Sequence, residues 1–396
     1  MEDKDKEKSK SKKRINIKIS PKWKKRAKLA FVLTAVLLVV FTAAQNLGDI
    51  TLTTMFSDIK AFFQSLGAGE GYPYQIDAVS VKDIKINNSN LYILTKDKTI
   101  ALNSTAKEIM PQPHTYSKPE IDSRFSRFIV YDLDSSRFRI QQNTEVKYEG
   151  EASGRIMAGT IGKKGNNALG RYGEKVQSVL TVYTKKHEAA FIWNFKSERI
   201  VDIALSDNGK FAAVITVEAV DGQINSKLYV FDFKSSEYLS CFEYKGTTLL
   251  KVDYVKKTDI VAVGDNLRTC ILKNTQKQTD QLFNSDVLTN YSLTDKGRST
   301  LVLSRYGSAA LSKVEVYSKK NETQFTHDFD NEVIWADSDE KFTAVLLANE
   351  VKTYNKKGEE LATHTFSGEP VRVAVDGKRT YVLTTSGIQC FKTKGD

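Results

Sequence analysis

From about residue 72 to the end of the chain, apolar residues are grouped in short runs separated by glycine, asparagine and aspartate. The runs are four or five residues long, as at 91–94, 211–215 and 342–346. Turn sequences such as Asp207-Asn208-Gly209 precede them and supply the positive φ angles that tight hairpins need. No helical period persists here, so the pattern predicts an all-β domain of short antiparallel strands.

A repeated strand ending divides this region into units of similar length. An apolar residue and an aromatic are followed by polar residues and lysines, most clearly at 182–186, 316–320 and 353–357. With degenerate copies included, the units place eight third strands, spaced about 41 residues apart, near Leu102, Arg139, Tyr183, Phe231, Ile271, Tyr317, Tyr354 and Phe391. The spacing predicts a β-propeller of about eight four-stranded blades, whose markers lie in the third strands. Seven blades remain an alternative, because the units at 116–155 and 249–287 are degenerate.

The last unit ends soon after its third strand, near Phe391. The segment 72–78 precedes the first complete unit, and we expect it to supply the missing fourth strand. Pairing the two ends of the chain in this way closes the ring and removes unpaired strand edges.

Residues 29–48 contain no charged side chain, and lysines and one arginine crowd the flank before them. Twenty helical residues span about 30 Å, the thickness of the hydrocarbon core of a bilayer. The positive-inside rule places residues 1–28 in the cytoplasm and the propeller outside the membrane. A cleaved signal peptide and a buried core helix are the alternatives, but the long apolar run and its basic flank favour a retained transmembrane helix.

Between the span and the propeller, residues 49–71 predict an amphipathic helix and a linker. Apolar residues from Leu52 to Leu66 recur at helical spacing on one face. This face is expected to pack on the propeller or lie in the membrane interface, with an oligomerisation face as the alternative. The glycine-rich stretch from Gly67 to Gly71 is expected to be a flexible joint. The propeller then occupies 72–396.

The net charge of +11 is concentrated in the N-terminal tail. Residues 1–28 hold eleven lysines and two arginines against four carboxylates, which leaves the rest of the chain nearly neutral. Such a low-complexity tail is expected to be disordered. A nearly neutral body gives no reason to expect that the propeller binds nucleic acid.

Sequence motifs for catalysis are missing from the chain. Cys241, Cys270 and Cys390 are far apart and do not form a disulfide framework. The four histidines occur singly, without a metal-binding spacing, and no Gly-x-Ser-x-Gly motif is present. We therefore expect no catalytic residue, no cofactor and no metal site.

The chain resembles a family of bacterial single-pass membrane proteins of unknown function that carry an extracytoplasmic propeller of PQQ-like or WD40-like repeats. The resemblance rests on the segment 203–210, the repeated strand endings and the tail with its apolar span. It implies no catalytic or binding residues. Only Trp193 and Trp335 lie in the body, which argues against the tryptophan-rich repeats of quinone-binding propellers.

These features favour a non-enzymatic binding or scaffold module at the outer face of the bacterial cytoplasmic membrane. Its partner would be an envelope protein or a glycan, and its oligomeric state is open. The alternatives are a propeller hydrolase or lyase with a site in the central channel, and a sensor that signals to the tail. The predicted binding rim consists of second-to-third-strand residues: Arg171, Tyr172, Glu218, Asp221, Arg305 and Tyr306.

Overall fold

The structure, a computed structural model, describes residues 60, 67–87, 89–305, 308 and 310–394. The predicted tail, the predicted span and all but one residue of the predicted amphipathic helix lie outside this part of the chain, as does Tyr306. Among the described residues, no helix is long and apolar enough to cross a membrane.

The described chain folds into eight antiparallel sheets that follow one another along the sequence. A short 3₁₀-helix, Ala78–Ser80, precedes them. Blades 1 to 4 comprise β1 (Val81–Asn87), β2 (Asn90–Thr95), β3 (Lys98–Leu102), β4 (Glu108–Pro113); β5 (Pro119–Arg124), β6 (Arg127–Asp132), β7 (Arg137–Gln142), β8 (Glu145–Glu151); β9 (Ile156–Ile161), β10 (Asn167–Tyr172), β11 (Ser178–Tyr183), β12 (Ala189–Phe195); and β13 (Arg199–Leu205), β14 (Phe211–Val220), β15 (Gln223–Asp232), β16 (Tyr238–Lys245).

Blades 5 to 8 comprise β17 (Leu249–Val255), β18 (Asp259–Gly264), β19 (Leu267–Leu272), β20 (Gln276–Lys277), β21 (Gln281–Leu282); β22 (Val287–Leu293), β23 (Ser299–Ser304), β24 (Ser312–Tyr317), β25 (Thr323–Phe329); β26 (Trp335–Ser338), β27 (Phe342–Leu346), β28 (Glu350–Asn355), β29 (Glu360–Thr365); and β30 (Pro370–Asp376), β31 (Arg379–Thr384), β32 (Gly387–Lys392). In blade 5 the fourth strand is split into β20 and β21, which both pair with β19. The prediction of eight blades is confirmed, and the seven-bladed alternative is wrong.

Within each blade the strands pair in chain order, and every sequence marker lies in a third strand, as predicted. The first strands line a central channel. The cores lie between neighbouring blades: Leu180 of blade 3 and Ile200 and Val214 of blade 4, for example, share one buried cluster. This sheet-on-sheet packing fixes the positions of the channel and of the connections at both ends of the strands.

The ring closes as predicted, because the N-terminal segment completes blade 8. The Tyr74 amide donates to the Ile388 carbonyl at 2.8 Å, and the Ile388 amide donates back to the Tyr74 carbonyl at 2.8 Å. Tyr72 and Tyr74 pack on the cluster that contains Tyr381 and Ile388. The two ends of the described chain thus hold each other in place.

The segment Gly67–Gly71, predicted to be a flexible joint, is hydrogen-bonded to the connection between β3 and β4. The Gly69 amide donates to Thr105 Oγ1 at 2.9 Å, and the Gly71 amide donates to the Thr105 carbonyl at 3.1 Å. The Asn103 amide nitrogen donates to the Gly67 carbonyl at 3.1 Å. A Cβ on Gly69 would lie 2.3 Å from the Lys107 backbone nitrogen, so this glycine permits close backbone contact rather than mobility.

Candidate functional site

The central channel encloses a cavity of about 900 Å³ lined by the first strands of all eight blades. Three of these strands present an aspartate that accepts a hydrogen bond from the backbone of the next blade. Asp122 accepts from the Ile161 amide at 3.2 Å, Asp202 from Val252 at 2.8 Å, and Asp337 from Val375 at 3.0 Å. These carboxylates join adjacent blades, so their first role is structural.

Arg124 reaches across the channel from blade 2 to blade 5. One guanidinium nitrogen donates to both carboxylate oxygens of Asp253 at 3.1 Å. The other donates to Asp207 at 3.0 Å and to the Tyr254 carbonyl at 2.7 Å. Only 7% of the Arg124 side chain is exposed. The arginine therefore braces the ring near the end of the channel at which the first strands finish.

The remaining cations of the channel are also paired with carboxylates. Lys251 binds Asp202 at 3.0 Å, and Arg372 binds Asp83 while its guanidinium lies 4.2 Å from the ring centre of Trp335. Burial raises the pKa of Asp202 and raises that of Asp253 to about 6, although Lys251 and Arg124 respectively oppose these shifts. Ion pairs of this kind hold the channel lining in a fixed arrangement.

The channel lining contains no histidine among the described residues. In the same part of the chain, no group of three or more histidine, cysteine, aspartate or glutamate side chains is arranged to hold a metal ion. Cys241, Cys270 and Cys390 are free thiols, as the sequence predicted. The channel chemistry that remains is that of aspartates bound to cations, hydroxyls and amides, together with Glu120, whose pKa is raised by burial.

The connections between strands divide the propeller into two faces of different charge. We call the side with the second-to-third and fourth-to-first connections the hairpin face; its connections, including the one from Tyr74 to β1, hold six lysines and arginines against eleven carboxylates. We call the other side, with the first-to-second and third-to-fourth connections and the residues after β32, the lysine face. Within the described residues it holds eighteen lysines and Arg298 against eight carboxylates. The eighteen are Lys107, Lys163, Lys164, Lys185, Lys186, Lys210, Lys234, Lys256, Lys257, Lys273, Lys296, Lys319, Lys320, Lys341, Lys356, Lys357, Lys378 and Lys394.

Among the described residues, the longest projection on the hairpin face is formed by β14 and β15. Each has ten residues, whereas the second strands of the other blades have five or six. About four extra residues per strand extend the hairpin by about 13 Å. Asp221 and Gly222 have φ angles of 51° and 76°, which match the two left-handed positions of a type I′ turn. Val220 precedes the turn and Ile224, the partner of Ala219, lies two residues after it on the opposite face of the hairpin; they are 42% and 53% exposed.

The base of this hairpin is fixed by a polar network. Lys227 binds Glu198 at 2.7 Å and Glu218 at 2.8 Å. Tyr229 donates its hydroxyl to Glu198 at 2.9 Å, and Glu198 is itself buried. Glu218, a predicted rim residue, thus supports the hairpin, while Asp221 lies exposed in its turn.

The predicted residues Arg171 and Tyr172 lie at the end of β10, on the blade before this hairpin. The Tyr172 ring lies 4.6 Å from the Arg155 guanidinium and 5.0 Å from that of Arg199. Arg199 pairs with Val217 in the ladder between β13 and β14. Tyr172 is therefore connected to the hairpin through Arg199, a contact that the sequence did not predict.

Arg305 is not equivalent to Arg171. Arg171 lies in the β10–β11 ladder, four positions after Asn167, the partner of Tyr183. Arg305 lies six positions after Ser299, the partner of Tyr317, and beyond the end of that ladder. It binds Asp328 at 3.4 Å, on a blade three positions away from that of Arg171. Arg171 and Arg305 therefore occupy different register positions in their blades, because the blade 6 connection is longer.

Sequence reasoning missed Val220, Ile224, Lys227 and Glu198. The signal for the first two was present, since apolar residues flank an Asp-Gly turn inside an unusually long hairpin. For Glu198 and Lys227 no signal was present in the sequence, because their pairing depends on how β13, β14 and β15 pair within blade 4.

Residues 73–390 match the model of DUF5711, a family of unknown function. The chain belongs to this family. The match begins in the segment that closes the ring and ends in β32, so the family is defined over the propeller. No curated protein matches the chain.

Solved structures share the fold at low identity. BamB from Moraxella catarrhalis is 10% identical with a TM-score of 0.51, over 80% of this chain and 98% of that one. Sqt1 from Saccharomyces cerevisiae is 10% identical with a TM-score of 0.56, over 81% and 97%. The C-terminal WD40 domain of Sif2 is 10% identical with a TM-score of 0.56, over 81% of this chain and 98% of that domain's chain. These similarities establish the propeller and leave function to be argued from the surface.

Proposed function

We propose that the protein is a non-enzymatic binding module, tethered to the bacterial cytoplasmic membrane through residues 29–48, which presents its hairpin face to a protein of the cell envelope. The observation that carries the proposal is the β14–β15 hairpin, a rigid projection with exposed apolar side chains at its tip. An apolar tip on a pre-organised base loses little conformational entropy on binding and gains by burying its exposed surface.

The channel supports the same proposal. Asp253, Asp202 and Asp83 are ion-paired with Arg124, Lys251 and Arg372 respectively, so these aspartates are not poised as free acids or bases. A propeller hydrolase or lyase would need a reactive group in the cavity that approaches substrate without breaking the contacts between blades. We therefore place the function on the connections of the hairpin face rather than in the channel.

The test compares recovery of partners by the full-length protein and by a hairpin variant after cross-linking in membranes. Val220→Ser together with Ile224→Ser should reduce recovery of the partner by at least about tenfold, because the apolar anchors are lost. Val79→Ser is the matched control, since Val79 is 73% exposed and lies just before β1, on the same face. Equal recovery by all three proteins, or turnover of isolated envelope polymers by the wild-type protein, would reject the proposal.

A further inference from the structure

The lysine face has no part in binding through the hairpin, yet it is the most strongly charged surface of the propeller. None of its eighteen lysines is buried, and fifteen are exposed. Six come from the repeated motif of the sequence, in which Lys185-Lys186, Lys319-Lys320 and Lys356-Lys357 follow the third strands of their blades. A repeat that places paired cations at equivalent positions builds one continuous surface from separate blades.

The positive charge is broad rather than confined to one groove. Each of blades 3 to 8 contributes two to four lysines to this face. Half of the eight carboxylates belong to the inner connections beside the channel: Asp207, Asp295, Asp339 and Glu340. Asp207 is neutralised by Arg124 at 3.0 Å. The outer connections therefore form a basic rim around a more acidic channel mouth.

The polypeptide also reaches the propeller on this face. Lys60 binds Glu145, which follows the third-to-fourth connection of blade 2. Gly67 and Gly69 bind residues of the corresponding connection of blade 1. These two blades carry a single lysine of the face, Lys107, so the incoming chain lies beside the lysine-rich part.

We infer that the lysine face binds the anionic phospholipid headgroups of the bilayer in which the protein is anchored. The inference rests on the proposed membrane tether. The described residues that precede the propeller, Lys60 and 67–71, contact the side that carries the cations, and a broad basic rim is complementary to a plane of negative charge. The hairpin face then points away from the membrane, toward its partner.

Lysine rather than arginine suits such a surface. A lysine ammonium group is a point charge on a flexible stem, which accommodates headgroups that diffuse, whereas arginine favours fixed bidentate contacts. The attraction sums over many weak contacts and is screened by salt. Binding should therefore depend on the anionic lipid fraction and on ionic strength.

The experiment measures the reactivity of each lysine in the full-length protein. The protein is reconstituted into vesicles of phosphatidylcholine, alone or mixed with phosphatidylglycerol, and treated with a membrane-impermeant amine-acetylating reagent before mass spectrometry. Anionic vesicles should reduce acetylation of Lys186, Lys356 and Lys357 by roughly fivefold, and high salt should restore it. Lys96, Lys118 and Lys175, exposed on the hairpin face, should react equally in both vesicles.

A four-site variant supplies the control for folding. Replacing Lys185, Lys186, Lys356 and Lys357 by serine should abolish the protection of Lys256 and Lys257. The matched replacement of Lys96, Lys118, Lys175 and Lys196, all exposed on the hairpin face, should preserve it. Equal loss in both variants would show that the first result comes from disturbed folding and would overturn the inference.

Two other outcomes would also reject it. Equal acetylation of the lysine face in neutral and anionic vesicles contradicts lipid binding. Protection by soluble polyphosphate but not by phosphatidylglycerol identifies a soluble anionic polymer as the ligand instead. If the full-length protein does not float with neutral vesicles, the proposed membrane tether at residues 29–48 is absent. That result rejects the proposed function and is distinguishable from the two outcomes that reject lipid binding by the lysine face.

Discussion

Arg124 is the residue on which the geometry of the channel depends most. It replaces contacts with water by four hydrogen bonds to blades 4 and 5, and the carboxylates that it binds are less than one-quarter exposed. Removing the guanidinium leaves the Asp207 and Asp253 carboxylates without their cation and the Tyr254 carbonyl without its hydrogen-bond donor. The unpaired, partly buried charge then raises the free energy of the folded state, whereas in the unfolded state the same carboxylates are solvated by water.

Arg124→Ala should lower the free energy of unfolding by about 2–4 kcal/mol. Urea unfolding followed by tryptophan fluorescence measures this difference. Lys118→Ala is the control, since Lys118 binds Asp134 at 2.8 Å in an exposed pair of the same blade, and it should cost less than about 1 kcal/mol. Similar losses in both variants would contradict the bracing role of Arg124.

The Asp253 carboxyl should make stability depend on pH. Because burial raises its pKa to about 6 in the folded protein, the unfolded chain loses this proton first as the pH rises above about 4. Folding stability contributed by this group therefore falls between about pH 4 and pH 6. Asp253→Asn removes that dependence, so its stability relative to the wild type should rise across the window by at most about 3 kcal/mol.

Parallel unfolding curves at several pH values test this. If the stability of Asp253→Asn relative to the wild type instead fell as the pH rises, the attraction of Asp253 to Arg124 would exceed the cost of its burial, contrary to the expectation.

Single residues of the channel were only partly predictable from the sequence. An aspartate inside an apolar strand, as at Asp202 or Asp337, is a visible signal of a polar contact. Its partner is not visible, since Val252 and Val375 come from the next blade and Asp253 binds an arginine 129 residues away. Such pairings depend on closure of the ring, which fixes distances that no local pattern contains.

At the scale of elements, the N-terminal segment around Tyr74, which pairs with β32 of blade 8, decides whether the ring is closed. Tyr74 and Ile388 exchange both backbone hydrogen bonds, and aromatic packing of Tyr72 on Tyr381 at 5.6 Å supports them. Without this contact β32 would present an open edge.

Tyr74→Pro removes the amide that donates to Ile388, and it should destabilise the ring by about 1–3 kcal/mol. Hydrogen exchange should accelerate at the Ile388 amide and along β30–β32. Gln75→Pro is the control, because the Gln75 amide donates no hydrogen bond within the described residues. Unchanged exchange at Ile388 in Tyr74→Pro would show that the ends of the chain do not close the propeller.

Strands and their order were well predicted because their signals are local. The Asp207-Asn208-Gly209 turn and the Val-Tyr strand endings mark the same positions in the sequence and in the structure. The contacts of the stretch from Gly67 to Gly71 were not predictable in the same way, because glycine serves both mobility and close backbone approach. Only the position of Thr105 and Lys107 beside Gly69 distinguishes the two.

At the scale of the whole molecule, a nearly neutral body conceals two oppositely charged faces. Net charge sums over the propeller, whereas a partner meets one face at a time. The assignment of each connection to a face follows from strand order alone, so this asymmetry was within reach of the sequence once the blades were placed. What it could not supply is the entry of the chain beside Thr105 and Glu145, since that depends on tertiary packing.

The most direct test of the account is photo-cross-linking in living cells from two positions of the same protein. A photoreactive residue at Ile224 should form adducts with protein, and one at Lys357 should form adducts with phospholipid. Protein adducts from Lys357 and none from Ile224 would contradict the assignment of both faces.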